Sequence, residues 1–93
     1  MIIDQSWIVG TAEDCDVRVT DEYASAHHCA VARTAEGNFF VRDLGSTNGT
    51  RIRRADATTV KAWDWTPINP GDVLIVGRSE IPWALSAYWR GGE

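Results

Sequence analysis

The sequence predicts an all-β fold, a sandwich of two twisted, mostly antiparallel sheets. Three observations point there. Short segments that are β-branched, aromatic or alternating in polarity recur along the chain. They are separated by clusters of Gly, Asn, Asp and Pro, the residues that favour tight turns. No segment carries the 3.6-residue apolar period of an amphipathic helix.

Taken in order, Trp7-Ile8-Val9 predicts a first strand closed by Gly10. Asp16-Val17-Arg18-Val19 alternates polar and apolar residues, the period of a half-buried strand. Cys29 to Arg33 is short and apolar, and the turn Glu36-Gly37 leads into Asn38-Phe39-Phe40-Val41-Arg42. Thr50-Arg51-Ile52-Arg53 alternates again, with Ile52 on one face and the arginines on the other. Thr58-Thr59-Val60 is β-branched. Residues Ala55 to Trp65 admit two readings, a long loop or a hairpin with Trp63 and Trp65 on one face. Asn69-Pro70-Gly71-Asp72 is a turn before Val73-Leu74-Ile75-Val76. Ile81-Pro82 reads as a break, Trp83 to Trp89 as the last strand, and Arg90-Gly91-Gly92-Glu93 as a frayed tail.

A chain of 93 residues predicts one domain over 1–93, with its core over about 7–89. Apolar residues make up 44 %, enough for one modest core to which the five tryptophans can contribute. The net charge of −4 argues against nucleic acid as a partner. Arg51, Arg53 and Arg54 form a basic group, read here as a solvated strand face. No apolar run reaches the length of a membrane span, so no membrane association is expected. The first residues lack the basic and apolar regions of a secretion signal, and a cytoplasmic location is expected. Cys15 and Cys29, even taken with His27 and His28, lack the close ligand pairs of a structural zinc site. Neither a metal nor a cofactor is expected, nor a disulfide, and Cys29 reads as a buried, inert thiol.

The most informative stretch is Asp43-Leu44-Gly45-Ser46-Thr47-Asn48-Gly49-Thr50, with Ser25-Ala26-His27-His28 upstream. Short hydroxyl and amide side chains on a tight loop can hold an oxyanion or a peptide backbone without a metal. The plainer readings are a turn cap for Ser25, a hairpin turn for Thr47 and Asn48, and a satisfied core histidine for His28. Ser25, His27, His28 and Asp43 contain the residue types of a hydrolytic triad. No nucleophile elbow or triad signature accompanies them, so no enzymatic activity is expected.

Gly10, then Ser25-x-x-His28, then Asp43 to Thr50, then Pro70-Gly71-Asp72 and Val76-Gly77, together resemble the forkhead-associated (FHA) domain. The resemblance spans residues 7 to 89, nearly the whole chain. It implies a β-sandwich whose loops at one end bind phosphothreonine peptides in Ser/Thr-kinase signalling, without catalysis. It implies that Ser25 donates its hydroxyl to the phosphate and that Thr47 contacts the same phosphate or its surroundings. It further implies that Asn48 bonds the peptide main chain, that His28 braces the Ser25 loop, and that Gly10 and Gly49 serve the backbone.

The chain departs from the family at three places. Thr11 stands where the family usually has an arginine directed at the phosphate, and Ala26 stands where many members have Arg or Asn. Arg78, in the second Gly-Arg pair, is the candidate replacement cation; Arg18 and Arg33 are weaker ones, because strand alternation points them away. Only Met1 to Ser6 precede Trp7, too short for the hairpin family members carry there. An N-terminally trimmed sandwich is therefore expected, with an open sheet edge beside the last strand that offers a route to a homodimer. These departures leave a second reading: a degenerate domain of the same fold that binds independently of phosphate, or dimerises.

Overall fold

The computed structural model describes residues 1–82. Nine strands follow one another: β1 Ile3–Gly10, β2 Val17–Arg18, β3 Cys29–Thr34, β4 Phe39–Asp43, β5 Thr50–Arg53, β6 Thr59–Lys61, β7 Thr66–Ile68, β8 Val73–Val76 and β9 Ser79–Pro82. They form a five-stranded sheet in the order β2-β1-β3-β4-β7 and a four-stranded sheet in the order β6-β5-β8-β9. Every pairing is antiparallel except β1 with β2. Among the described residues no helix is long and apolar enough to cross a membrane.

Period-two patterning builds the core. On the five-stranded sheet Trp7 faces Val31, and Val31 faces Val41 across the next pairing. On the other sheet Ile52 pairs with Leu74, and Thr50 with Val76. Trp7, Val31, Val41, Ile52, Leu74 and Val76, with Val9, Cys29 and Ile68, belong to one buried apolar cluster, and Thr50 is buried beside Val76. Slipping either sheet by one residue would turn this set to solvent, so the alternation fixes the register. Trp7 is buried and stacks on Phe39 at 6.3 Å between ring centroids. Cys29 is fully buried, and that burial pushes its thiol up to about 12.

Several expectations need correction. The first strand begins at Ile3, four residues before Trp7. Only Val17 and Arg18 pair within the alternating stretch 16–19, because β2 is a short parallel edge beside β1. The stretch Ala55 to Trp65 is neither a long loop nor a hairpin of its own. Its first part closes the β5–β6 hairpin through a turn in which Asp56 accepts the Thr58 amide at 3.0 Å, and Trp63 lies beyond it, exposed. Thr66–Ile68 was not expected as a strand; its proline masks a three-residue edge strand paired to β4. Ile81-Pro82 is not a break but the end of β9, where Pro82 sits opposite Val73. A proline is tolerated there because the strand ends the sheet among the described residues. The predicted strand Trp83 to Trp89, and the dimer edge expected with it, lie outside the described residues.

The β8–β9 hairpin is tight. Val76 pairs with Ser79, leaving Gly77-Arg78 as a two-residue loop. Gly77 has φ +63°, and a glycine in the left-handed region at the first turn position matches a II′ turn. This turn brings Arg78 to the loops that carry Ser25 and Asn48.

Candidate functional site

The loop from Ser25 to His28 is held by one buried histidine. The His28 Nδ1 accepts the Ser25 backbone N–H at 3.0 Å, and its Nε2 lies 2.8 Å from the Gly49 carbonyl oxygen. A backbone amide can only donate and a carbonyl can only accept, so the ring is neutral with its proton on Nε2. His28 is fully buried, and it ties the Ser25 loop to the Asn48-Gly49 turn, 21 residues further along.

Asp43 organises the second loop. Its carboxylate accepts the amides of Gly45 and Ser46, each at 2.9 Å, and the Thr50 hydroxyl at 2.7 Å. The Ser46 hydroxyl also donates to it, and in turn accepts the Gly49 amide at 2.9 Å. Burial alone would raise the Asp43 carboxyl, yet the bonds from Ser46, Thr50 and Gly45 hold it below the usual carboxylate range. The charged form therefore shapes the turn, and Gly49 completes it at φ +79°.

The exposed tip is left to Thr47 and Asn48. The Thr47 amide donates to the Ser25 Oγ at 3.2 Å, so the two loops touch. The Ser25 hydroxyl proton has no acceptor among the described residues, and neither does the Thr47 hydroxyl. The Asn48 Nδ2 donates to the Tyr23 carbonyl at 2.8 Å, which orients the carboxamide and leaves its oxygen and second N–H unused. Three of the expected site residues are thus joined at one apex.

Gly10 sits under this apex because nothing larger fits. A Cβ placed there would lie 2.1 Å from the Ala26 carbonyl oxygen. The close approach lets the Thr11 amide donate to the Ser25 carbonyl at 3.2 Å and the Ala12 amide to the Ala26 carbonyl at 3.1 Å. Thr11 itself brings no cation. The Arg18 Nε, however, donates to the Thr11 carbonyl at 2.9 Å, because parallel pairing puts Arg18 opposite Gly10. Alternation along one strand says nothing of this register, so the sequence made Arg18 appear to point away.

Arg78 lies elsewhere on the same end. It lines a surface cavity of about 250 Å³ together with Tyr23, Asn48, Arg51 and Gly77; neither Ser25 nor Thr47 lines it. Arg51, read from sequence as one of a solvated group, belongs to this cavity, while Arg53 and Arg54 pair with Glu80 and Asp72 at 2.7 Å each. The signal that would have set Arg51 apart is its place two residues after the Asn48-Gly49 turn. The ion pairs divide the described arginines into two groups. Arg33, Arg42, Arg53 and Arg54 each face a carboxylate, whereas Arg18, Arg51 and Arg78 have none among the described residues. The latter three all lie at the loop end.

No triad forms from the remaining candidates. His28 bonds the backbone of Ser25 rather than its hydroxyl, and Asp43 is engaged by its own loop. His27 pairs with Asp14 at 2.9 Å on the surface. With Cys15 these two place three potential ligand atoms within 4.8 Å of one another, a set different from the cysteines and histidines weighed on sequence. The Cys15 thiol donates to the Ala26 carbonyl at 3.1 Å.

The sandwich gathers hydroxyls, amides and guanidinium groups on loops at one end, groups whose chemistry suits an anion. Residues 7–77 match the FHA domain, and the chain belongs to that family. FHA domains are non-catalytic phosphothreonine-binding interaction modules. The chain is 38 % identical over 73 residues to the FHA domain-containing protein FhaB of Mycobacterium tuberculosis, covering 77 % of this chain and 46 % of that protein. It thus spans about half the length of the relatives it matches. A solved structure from an analysis of phosphothreonine-dependent FHA domain interactions is 29 % identical with TM-score 0.66, over 81 % of this chain and 71 % of that one. The N-terminal FHA domain of S. cerevisiae Rad53p, in complex with a phosphothreonine peptide, is 26 % identical with TM-score 0.68, over 83 % and 60 %.

Proposed function

We propose that this domain reads phosphothreonine in a partner protein modified by a Ser/Thr kinase in the cytoplasm, and does no chemistry on it. The observation that carries the reading is the Thr47 amide bonded to the Ser25 Oγ at 3.2 Å, with both hydroxyl protons unused. A phosphoryl group brings nearly two negative charges and three strong acceptor oxygens. The Ser25 and Thr47 hydroxyls meet two of those acceptors. Asn48, already oriented by Tyr23, offers one donor and one acceptor to an extended peptide backbone. Arg18, lying against Thr11, is the guanidinium positioned to replace the arginine usual in the family. It is less direct than an arginine at position 11, because one of its donors is committed to a carbonyl.

A second reading has a specific support. Thr11 stands in place of the usual arginine and Ala26 in place of the common Arg or Asn, which favours a domain that binds its partner without regard to phosphate. One titration separates the two. Matched peptides carrying threonine, phosphothreonine or phosphoserine are added to the native domain and to Ser25→Ala and Asn48→Ala. The first reading requires tight binding of the phosphothreonine peptide alone, lost in both variants. Equal affinity for all three peptides selects the second.

A further inference from the structure

Asp14 and Cys15 stand on the loop between β1 and β2, and His27 stands on the loop that carries Ser25. One ligand atom from each lies within 4.8 Å of the other two. Cys15 and His27 are 12 residues apart in sequence, so the close-pair spacing of structural zinc sites passes over them. The backbone brings them together. The Ala12 amide donates to the Ala26 carbonyl at 3.1 Å, and the Cys15 amide turns back onto the Ala12 carbonyl at 3.2 Å. The Cys15 thiol donates to the same Ala26 carbonyl at 3.1 Å. The His27 Nε2 lies 2.9 Å and 3.1 Å from the two Asp14 oxygens. Asp16, next along the chain, accepts the Ile8 amide at 2.8 Å and so ties the loop to β1. Asp14 and His27 are exposed and Cys15 is half-buried, which lets a hydrated ion reach all three.

We propose that Asp14, Cys15 and His27 form a three-ligand site for Zn²⁺, closed by water, which staples the β1–β2 loop to the loop carrying Ser25. The site is independent of phosphothreonine reading. Carboxylate, thiolate and imidazole are the three side-chain ligands zinc takes, with bonds of about 2.0–2.3 Å. Tetrahedral donors at those lengths stand roughly 3.3–3.8 Å apart, so side-chain rotation of about 1 Å closes the set. The thiolate and the carboxylate together balance the charge of the ion. On binding, Cys15 releases its thiol proton to solvent, and His27 meets the ion through a bare Nε2 with its proton on Nδ1. The Ala26 carbonyl loses the thiol but keeps the Ala12 amide, so no acceptor is orphaned. Ca²⁺ and Mg²⁺ are hard cations that demand oxygen shells, and a thiolate with an imidazole selects against them.

The test is a metal titration of the reduced, tag-free native chain. Zn²⁺ is added in competition with a chromophoric chelator, and Co²⁺ is added separately as a spectroscopic reporter. One equivalent of Zn²⁺ is expected to bind, and the Co²⁺ form is expected to show a thiolate-to-metal charge-transfer band. Cys15→Ser removes that band. Cys15→Ser and His27→Ala each weaken Zn²⁺ binding by at least roughly ten- to hundredfold, the loss seen when only a ligand's hydrogen-bond partner is removed. Asp14→Asn weakens it as well, whereas Glu13→Gln, one residue outside the set, leaves it unchanged. Zn²⁺ raises the urea midpoint of the native chain and not that of Cys15→Ser. With EDTA present, His27→Ala unfolds close to the native midpoint, because its exposed ion pair contributes little. A native chain that binds no Zn²⁺, or gives no charge-transfer band with Co²⁺, overturns the proposal. A band that survives Cys15→Ser places the metal on Cys29 and does the same. Equal Zn²⁺ affinity in the native chain and Cys15→Ser means adventitious histidine binding only, and also overturns it. So does displacement of Zn²⁺ by Mg²⁺ or Ca²⁺.

Discussion

Replacing His28 by alanine tests whether one buried ring holds the two binding loops together. The side chain is fully buried, and its two bonds span the Ser25 amide and the Gly49 carbonyl. Removing it leaves the half-buried Ser25 donor and the buried Gly49 acceptor without partners, at about 1–3 kcal/mol each. A cavity adds to this, and about 3–5 kcal/mol in total is reasonable for a large-to-small change at such a site. At ~0.05–0.15 kcal/mol per residue, a domain of this length is stable by roughly 5–14 kcal/mol, so the variant loses a large share of its stability. Urea unfolding followed by tryptophan fluorescence reads the change directly. With a slope of about 1.5 kcal/mol/M the midpoint falls by about 2–3 M. His27→Ala is the control: that ring is surface-exposed and paired only with exposed Asp14, and it should shift stability by less than about 0.5 kcal/mol. Equal effects of the two substitutions would refute the argument that His28 is the brace.

Three further outcomes follow from the same contacts. Gly10→Ala forces a Cβ against the Ala26 carbonyl and should cost about 1–3 kcal/mol of stability while weakening phosphopeptide binding; an unchanged urea midpoint would contradict the close packing. Asp43 has a carboxyl held below its usual range, so its contribution is present at neutral pH and lost as pH falls below about 4. The urea midpoint should drop over that acid range, and Asp43→Asn should lower it at neutral pH and flatten the acid drop; an acid drop of undiminished size in the variant would count against the role. Arg18→Ala should weaken phosphothreonine-peptide affinity about tenfold, and Thr11→Arg on that background should restore it. If loss of Arg18 changes nothing, it is not the replacement cation.

The sandwich was legible because short apolar, β-branched or alternating stretches recur between turns. Ile52 announced its inward face by alternation with its flanking arginines, and the Gly and Asn turns marked where strands stop. Short edge strands were not legible. Thr66-Pro67-Ile68 and Ile81-Pro82 contain prolines that local rules read as breaks, and only pairing with β4 and β8 makes them strands. The apex residues Ser25, Thr47 and Asn48 were visible as a motif, since their chemistry is local. The cations were harder. Arg18 depends on the parallel register that sets it opposite Gly10, and Arg51 and Arg78 line one cavity because β5 pairs with β8, whose hairpin turn carries Arg78. Charge pairing, which singles out those three arginines, is a property of the packed sheets and has no sequence pattern.

The most direct test follows the backbone amides of the native domain by NMR while matched phosphothreonine and threonine peptides are added. The account predicts that the amides of Ser25, Thr47 and Asn48 move with the phosphorylated peptide and stay still with the plain one. Shifts that appear with both peptides, or that fall on the open faces of the sheets instead of the loop end, would contradict it.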